Sequence, residues 1–217
     1  MGAALSKYKD LPLVSQTQNP VVVIGIEHVH RNTQSLRIKV SGDEHVIRDS
    51  VTNGPLYKLA KRDKRLRLMD ANAETLAYVA SDPIATTKFA KYLILPLETG
   101  QQSVGVARNA RLLQLKVSRK AGFFVTEVID PASELVVYHV KGTNMGFHCY
   151  VFLGPTSKGR DAEGPLLARS TKESTWIKSI YGVEVAPGVD LAFVVALMAV
   201  VEKVRRKIAA ADSAAAG

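Results

Sequence analysis

From Val21 to Val185 the chain breaks into short bursts of apolar and β-branched residues separated by turn formers. VVVIGIE, SLRIKVS, EHVIRD, PLYKLAK, RLRLMD, ETLAYVAS, KYLILPL, RLLQLKVS, GFFVTEVID, ELVVYHVKG, HCYVFLG, PLLARS and SIYGVEV are each four to nine residues long. That length and composition predict β-strands, about a dozen of them. Residues 10 to 20, DLPLVSQTQNP, hold two prolines and several polar groups and predict an extended leader. The pattern changes at Leu191. LAFVVALMAVV, Leu191 to Val201, is eleven consecutive apolar residues with no polar position around a helical wheel. Such a helix has no face suited to water and must be enclosed. A bilayer span takes about 20 residues, so the enclosure expected is protein rather than lipid. Asp190 stands where an N-cap or first-turn acid belongs, and Lys203, Arg205, Arg206 and Lys207 follow where the helix dipole favours cations.

A repeat runs through the strand region. Asp49 and Tyr57, Asp70 and Tyr78, and Asp130 and Tyr138 each stand eight residues apart, with apolar residues before each Asp. DANA, DPAS and SVTNG supply the groups that close hairpins through Asx bonds or permissive dihedrals, so each repeat reads as a hairpin, and in the second and third the next strand opens with Glu74 or Glu134. A dozen meandering strands have exposed edges unless they close, and the all-apolar helix is a suitable filling. The fold class expected is mainly β: a closed antiparallel barrel of about twelve strands enclosing a hydrophobic C-terminal α-helix. Inward residues such as Leu68, Val79, Leu93, Phe124 and Val137 are expected to meet Phe193, Leu197 and Met198.

Charge adds a partner class. Lys and Arg number 29 against 20 acids, a net +9, which favours an anionic partner. The densest cluster is YKLAKRDKRLRL, where Lys58, Lys61, Arg62, Lys64, Arg65 and Arg67 face one acid, Asp63. Four to eight such cations read as a patch for anionic lipid or phosphoinositide, with Lys61 to Arg65 forming a turn. Arg108, Arg111, Lys116, Arg119 and Lys120 form a second group. Nucleic acid is the disfavoured anion, because aromatics are only 6% and lie within apolar strand patterns. At the N-terminus, Met1-Gly2 with Ser6 fits the pattern for N-myristoylation, and Lys7 and Lys9 follow it. One acyl chain anchors only marginally, so a basic second signal is required. Cys149 is the single cysteine, which precludes an intrachain disulfide and favours a reducing compartment.

Catalytic and metal chemistry finds little to stand on. GPTSKGRD, Gly154 to Asp161, has the glycine frame of a phosphate loop without its Lys-Ser/Thr ending. His28 and His30 share a face if their segment is a strand, but lack a third ligand at a recognisable spacing. His148 and Cys149 are neighbours in a strand and point to opposite faces, which separates base from thiol and makes Cys149 a lining residue. Trp176 and Tyr181 are expected to pack at a barrel rim. No enzyme activity, cofactor or metal is expected.

The segment YGVEVAPGVDLAFVVALMAVVEKV, with the repeated hydrophobic-Asp-turn-hydrophobic hairpins, resembles the LURP-one-related family of the Tubby C-terminal-like superfamily, to which the phospholipid scramblases also belong. The resemblance covers roughly Val21 to Lys207, and its most specific part is GVD-x-AF-x-V-x-L, Gly188 to Leu197. It implies a twelve-stranded antiparallel barrel around the C-terminal helix and no agreed catalytic activity. Tubby-type relatives bind phosphoinositide headgroups through basic residues on the outer barrel surface, but no such motif maps onto this chain residue by residue. The alanine-rich tail after Val204 and the N-terminal acylation pattern are departures from common members. The organisation expected is a flexible leader at 1–20, the barrel domain at 21–208 and a disordered tail at 209–217. The function expected is that of a non-enzymatic peripheral membrane adaptor, cytoplasmic or at the cytoplasmic face of the plasma membrane. Lys58, Lys61, Arg62, Lys64, Arg65 and Arg67 are its candidate lipid contacts, and Gly2 is its candidate lipidation site. The alternative is a protein-interaction or scaffold module in defence or stress signalling, with an unidentified protein partner and no lipid ligand. Scrambling by an inserted C-terminal helix is opposed by that helix's short apolar length.

Overall fold

The computed structural model describes residues 3–62, 65–81, 89–95, 112–120, 123–143, 148–155, 163–172 and 179–215. Twelve strands follow a short helix α1 (Ala3–Ser6): β1 (Gln34–Ser41), β2 (Glu44–Asp49), β3 (Pro55–Arg62), β4 (Arg65–Asp70), β5 (Thr75–Ser81), β6 (Phe89–Leu95), β7 (Leu113–Lys120), β8 (Phe123–Ile129), β9 (Val136–Thr143), β10 (Cys149–Leu153), β11 (Leu166–Lys172) and β12 (Ser179–Val185). Each pairs antiparallel with its sequence neighbours, and β1 pairs with β12, which closes the barrel. Helix α2 (Leu191–Ala215) follows β12 and fills it.

Antiparallel parity sorts the connections into two sets. Turns after even-numbered strands, including those at Asp49, Asp70 and Asp130, lie at the end where α2 begins. Turns after odd-numbered strands lie at the end where α2 leaves. We call these the Asp-turn end and the helix-exit end.

The sequence repeat is a structural one. In each of the three Asp hairpins the strand register slips just before the Asp, between Ile47 and Arg48, Leu68 and Met69, and Val128 and Ile129. The Asp then turns its carboxylate back onto the turn: Oδ1 of Asp49 accepts the N–H of Val51 and Thr52 at 2.9 and 2.6 Å, and Oδ1 of Asp70 accepts those of Asn72 and Glu74 at 2.9 and 2.8 Å. Asp130 accepts the N–H of Ala132 at 3.1 Å. A left-handed residue completes each turn, Asn53, Ala73 or Glu134, with φ of 58°, 65° and 58°. Glu74 and Glu134 thus belong to the turns, and the second strands open one and two residues later, at Thr75 and Val136.

Leu191 to Val200 are all buried, and Val201 partly so. Alternate strand positions meet them: Leu36 and Ile38, Leu66 and Leu68, Ala77 and Val79, Val151, Val183 and Val185 share one core with Phe193, Leu197 and Met198. Of the expected inward residues, Leu68, Val79 and Phe124 lie in that core. Leu93 does not. Tyr92 and Ile94 hold the inward positions of β6, and Leu93 takes the other face. Val137 is only partly buried, while its neighbour Tyr138 brings its ring 5.1 Å from that of Phe193. Tyr181 is a core residue of β12 and not a rim residue, and Trp176 lies outside the described residues.

VVVIGIE is not a strand. Val21 and Val29 make isolated bridges to Val189 and Asp190, and Ile26–His28 is a 3-10 turn. The barrel is already closed by β1 and β12, so no sheet edge is left for this segment. Its N–H groups go instead to Asp190, whose Oδ2 accepts Val23, Ile24 and Gly25 at 3.0, 2.6 and 3.1 Å. Oδ1 caps α2 by accepting the N–H of Phe193 at 3.0 Å. Gly188, at φ 81°, sits so close to the leader that a Cβ there would stand 2.3 Å from the carbonyl carbon of Gln16. The Gly-Val-Asp of the most specific sequence pattern is therefore a clasp joining leader, helix and barrel.

The leader expected to be flexible packs on the barrel wall. β10 is apolar on both faces, so the outer side chains Tyr150 and Phe152 need a cover, and Leu5 and Tyr8 supply it together with Leu166. The backbone is tied at Val14 N–H to Leu166 O, 2.8 Å, and at Gln16 N–H to Pro187 O, 2.7 Å. Similarly, α2 runs on through residues 209–215, where a disordered tail was expected. Continuous helical hydrogen bonding and the high propensity of alanine account for it. Among the described residues no helix is long and apolar enough to cross a membrane.

Candidate functional site

The helix-exit end gathers cations from three separated segments. Lys61 and Arg62 end β3, Arg65 opens β4 opposite Arg62 in register, and Lys203, Arg206 and Lys207 arrive on α2. The helix is anchored there by Glu202, which is buried and accepts bonds from Nε and Nη2 of Arg205 and Nε of Arg206, all at 2.9 Å. Arg206 also donates through Nη1 to Gly42 O in the β1–β2 turn at 2.7 Å, locking the helix to the rim. Lys207 stands 5.4 Å from the centre of the Tyr92 ring.

Among the described residues, Asp43 and Glu44 at this rim are engaged. Asp43 pairs with Lys61 at 3.0 Å, and Glu44 with Lys58 at 2.5 Å. The hydrogen bond from Lys61 holds the Asp43 carboxyl below its usual range, with Arg206 and Lys203 adding to it. Lys203 is itself lowered, first by burial and then by the repulsion of Lys207 and Lys61. His45 is buried beneath this rim. Loss of hydration pushes it down to about 4, with Arg206 and Lys203 acting in the same direction and Glu202 against them. The arrangement can bind a multivalent anion.

The six basic residues singled out in the sequence divide. Lys61, Arg62 and Arg65 share the rim. Lys58 sits further up β3, and Arg67 turns away: its Nε donates to Thr75 Oγ1 at 2.5 Å and its Nη2 to Ala73 O at 3.3 Å, at the Asp70 turn. Lys64 and Gly2 lie outside the described residues, as do Arg108 and Arg111 of the second group. Lys116 stands on β7 in register with Lys91 and Glu127. The sequence pattern accounts for the cations of α2 through the helix dipole alone and so leaves out their place on this rim. The signal was present in the length of the apolar run, which delivers whatever follows it to the far rim.

The other candidate chemistry is accounted for by packing. The thiol of Cys149 is buried, 3.4 Å from Met198 Sδ and 3.1 Å from Ser170 Oγ, and burial pushes it up to about 11. His148, next to it, is exposed. His28 is not on a strand; its Nδ1 lies 3.2 Å from the Tyr57 hydroxyl within the Asp-turn end. Among the described residues no three His, Cys, Asp or Glu side chains are grouped so as to hold a metal.

The comparisons with known proteins agree with this architecture. The crystal structure of an Arabidopsis thaliana protein superposes with a TM-score of 0.62 at 18% identity, covering 84% of this chain and 98% of that one. At that identity the likeness is one of fold. A search of curated proteins finds no match. A family model described as LURP-one-related matches residues 32–202, from just before β1 to the buried Glu202 of α2, and the chain belongs to that family.

Proposed function

We propose that the protein is a peripheral, non-enzymatic adaptor that binds an anionic membrane surface, above all one bearing phosphoinositides, with its helix-exit end. The convergence of Lys61, Arg62, Arg65, Lys203, Arg206 and Lys207 on one rim carries this reading. Cations near an anionic bilayer contribute about 1 kcal/mol each, so a rim of this size is a sufficient second signal for a weak lipid anchor. The anchor is an acyl chain on Gly2. Helix α1 supports that placement, since Leu5 and Tyr8 pack beside Tyr150 and Phe123 near the helix-exit ends of β10 and β8. Acyl chain and cations then meet one membrane, at the cytoplasmic face of the cell.

Cosedimentation with vesicles tests the reading. Phosphatidylcholine vesicles containing phosphatidylinositol bisphosphate should retain the protein, and the triple variant Lys61→Glu, Arg62→Glu, Arg65→Glu should lose it. Equal binding to neutral and phosphoinositide vesicles would refute the lipid part. Intact mass and membrane fractionation of the native chain beside Gly2→Ala test the anchor separately.

A second reading, a protein-interaction module, draws on the opposite end. Val51, Leu135 and Ile26 are 87%, 65% and 62% exposed there among acidic turns. Partner capture unchanged by the triple charge reversal but lost with Val51→Ser and Leu135→Ser would favour it.

A further inference from the structure

The outer wall of the barrel carries a groove that the cationic rim does not use. The leader from Lys7 to Val14 forms one side and Glu163 to Leu166 the other of an open trough of about 510 Å³. Pockets for small ligands have volumes of this order. Its walls are Tyr8, Leu11, Pro12, Val14, Pro165 and Leu166. Leu11 and Val14 are 37% and 39% exposed, so the leader presents two large apolar side chains to this groove that the fold leaves uncovered.

The polar groups at its floor are committed to one another. Oε1 of Glu163 accepts the Tyr8 hydroxyl at 2.9 Å and the Lys141 ammonium, while Oε2 meets Nε2 of His139 at 2.8 Å. Nδ1 of His139 meets Gly154 O at 2.7 Å. Lys7 holds its Nζ 4.9 Å from the Tyr8 ring centre. A headgroup would meet a floor whose Tyr8 hydroxyl and Lys141 ammonium already bond to Glu163. An added peptide strand would find the Val14 N–H already on Leu166 O. What fits is a chain of methylenes.

We propose that this groove shelters a saturated acyl chain carried on the Gly2 amine, so that the leader is both the carrier and one wall of an acyl-binding site. The proposal rests on Gly2 acylation as stated above. The connection is short: α1 is four residues, a rise of about 6 Å, and Lys7 and Tyr8 at the groove follow it directly. A fourteen-carbon chain is more than long enough to fold back over one helical turn. The leader wall of the groove precedes the matched family segment 32–202, while the opposite wall, Glu163 to Leu166, lies within it. Sheltered, the chain leaves the protein off the membrane. Released, it acts beside the cationic rim.

The test uses the full chain co-expressed with an N-myristoyltransferase, beside the unmodified chain, without lipid. Intact mass establishes acylation, and amide hydrogen exchange should slow about tenfold or more across both 7–14 and 163–166 in the acylated protein. The variant Leu11→Asp, Val14→Asp changes two side chains already more than one-third exposed, so its thermal midpoint should match the parent. It should raise binding of the acylated chain to neutral phosphatidylcholine vesicles several-fold and leave the unmodified chain unaffected. Acyl mass with unchanged exchange in both segments, or with unchanged vesicle binding in the double variant, overturns the groove while leaving Gly2 acylation standing. Absence of acyl mass after co-expression overturns both.

Discussion

Where α2 begins, the charged groups are turned inward on the chain: Asp49, Asp70 and Asp130 hold their own turns and Asp190 gathers four backbone N–H groups. Where α2 leaves, charge is turned outward, with Glu202 and Gly42 O holding the helix while lysines and arginines line the rim. The same residue classes therefore do different work at the two ends. Acids aimed at backbone donors fix geometry, whereas cations in surplus over acids create a surface field. Substitutions at the first end should cost stability, and those at the second should cost binding.

The largest effect that would break this comparison lies at Asp190. Asp190→Ala leaves four N–H groups without their acceptor, three of them on Val23 to Gly25, and should destabilise the protein by about 4 kcal/mol or more in urea unfolding. Asp190→Asn keeps an acceptor oxygen and should lose less. A loss under about 1 kcal/mol for Asp190→Ala would remove the clasp from the account. Next comes the triple reversal of Lys61, Arg62 and Arg65. At about 1 kcal/mol per cation, binding to anionic vesicles should fall about a hundredfold or more, with unfolding free energy within about 1 kcal/mol of the parent.

The third effect is a pH dependence at the helix-exit end. His45 is neutral in the fold down to about 4, against an ordinary 6.5, so between these values the unfolded chain binds more protons than the folded one. Stability contributed by this group is complete above the unfolded value and is lost as pH falls toward 4, by up to about 3 kcal/mol. His45→Gln should flatten that part of the stability-pH curve; an unchanged slope would refute the burial argument. The smallest effect sharpens the comparison from the other side. Val51→Ser, at 87% exposed, should change stability by under about 0.5 kcal/mol and leave vesicle binding untouched.

Most of the barrel was legible because strand burial alternates and turn chemistry is local. LRIKV in β1 buries Leu36, Ile38 and Val40 and exposes the cations between. The Asp repeat was legible as hairpins, and its bulges were not, since register slip is a property of the pair of strands. VVVIGIE has the composition of a strand but no edge to join, a fact set by closure between β1 and β12. The leader was misread because its partner is distant: Tyr8 meets Glu163 and Lys141. CYVFL in β10 did carry a hint, as an unbroken apolar run in an antiparallel strand needs cover on both faces. The cationic turn was visible locally. Its meeting with the end of α2 depended on how far a buried rod carries the chain.

That rod also has a consequence for synthesis. The filling of the barrel, Leu191 to Val200, is made after all twelve strands, so the nascent chain holds a complete set of walls with nothing to pack them against until α2 has left the ribosome. Packing of the barrel core therefore waits on the synthesis of α2. A chain cut before Asp190 would lack both the filling of the barrel and the clasp that holds the leader to it, and should show no cooperative unfolding transition.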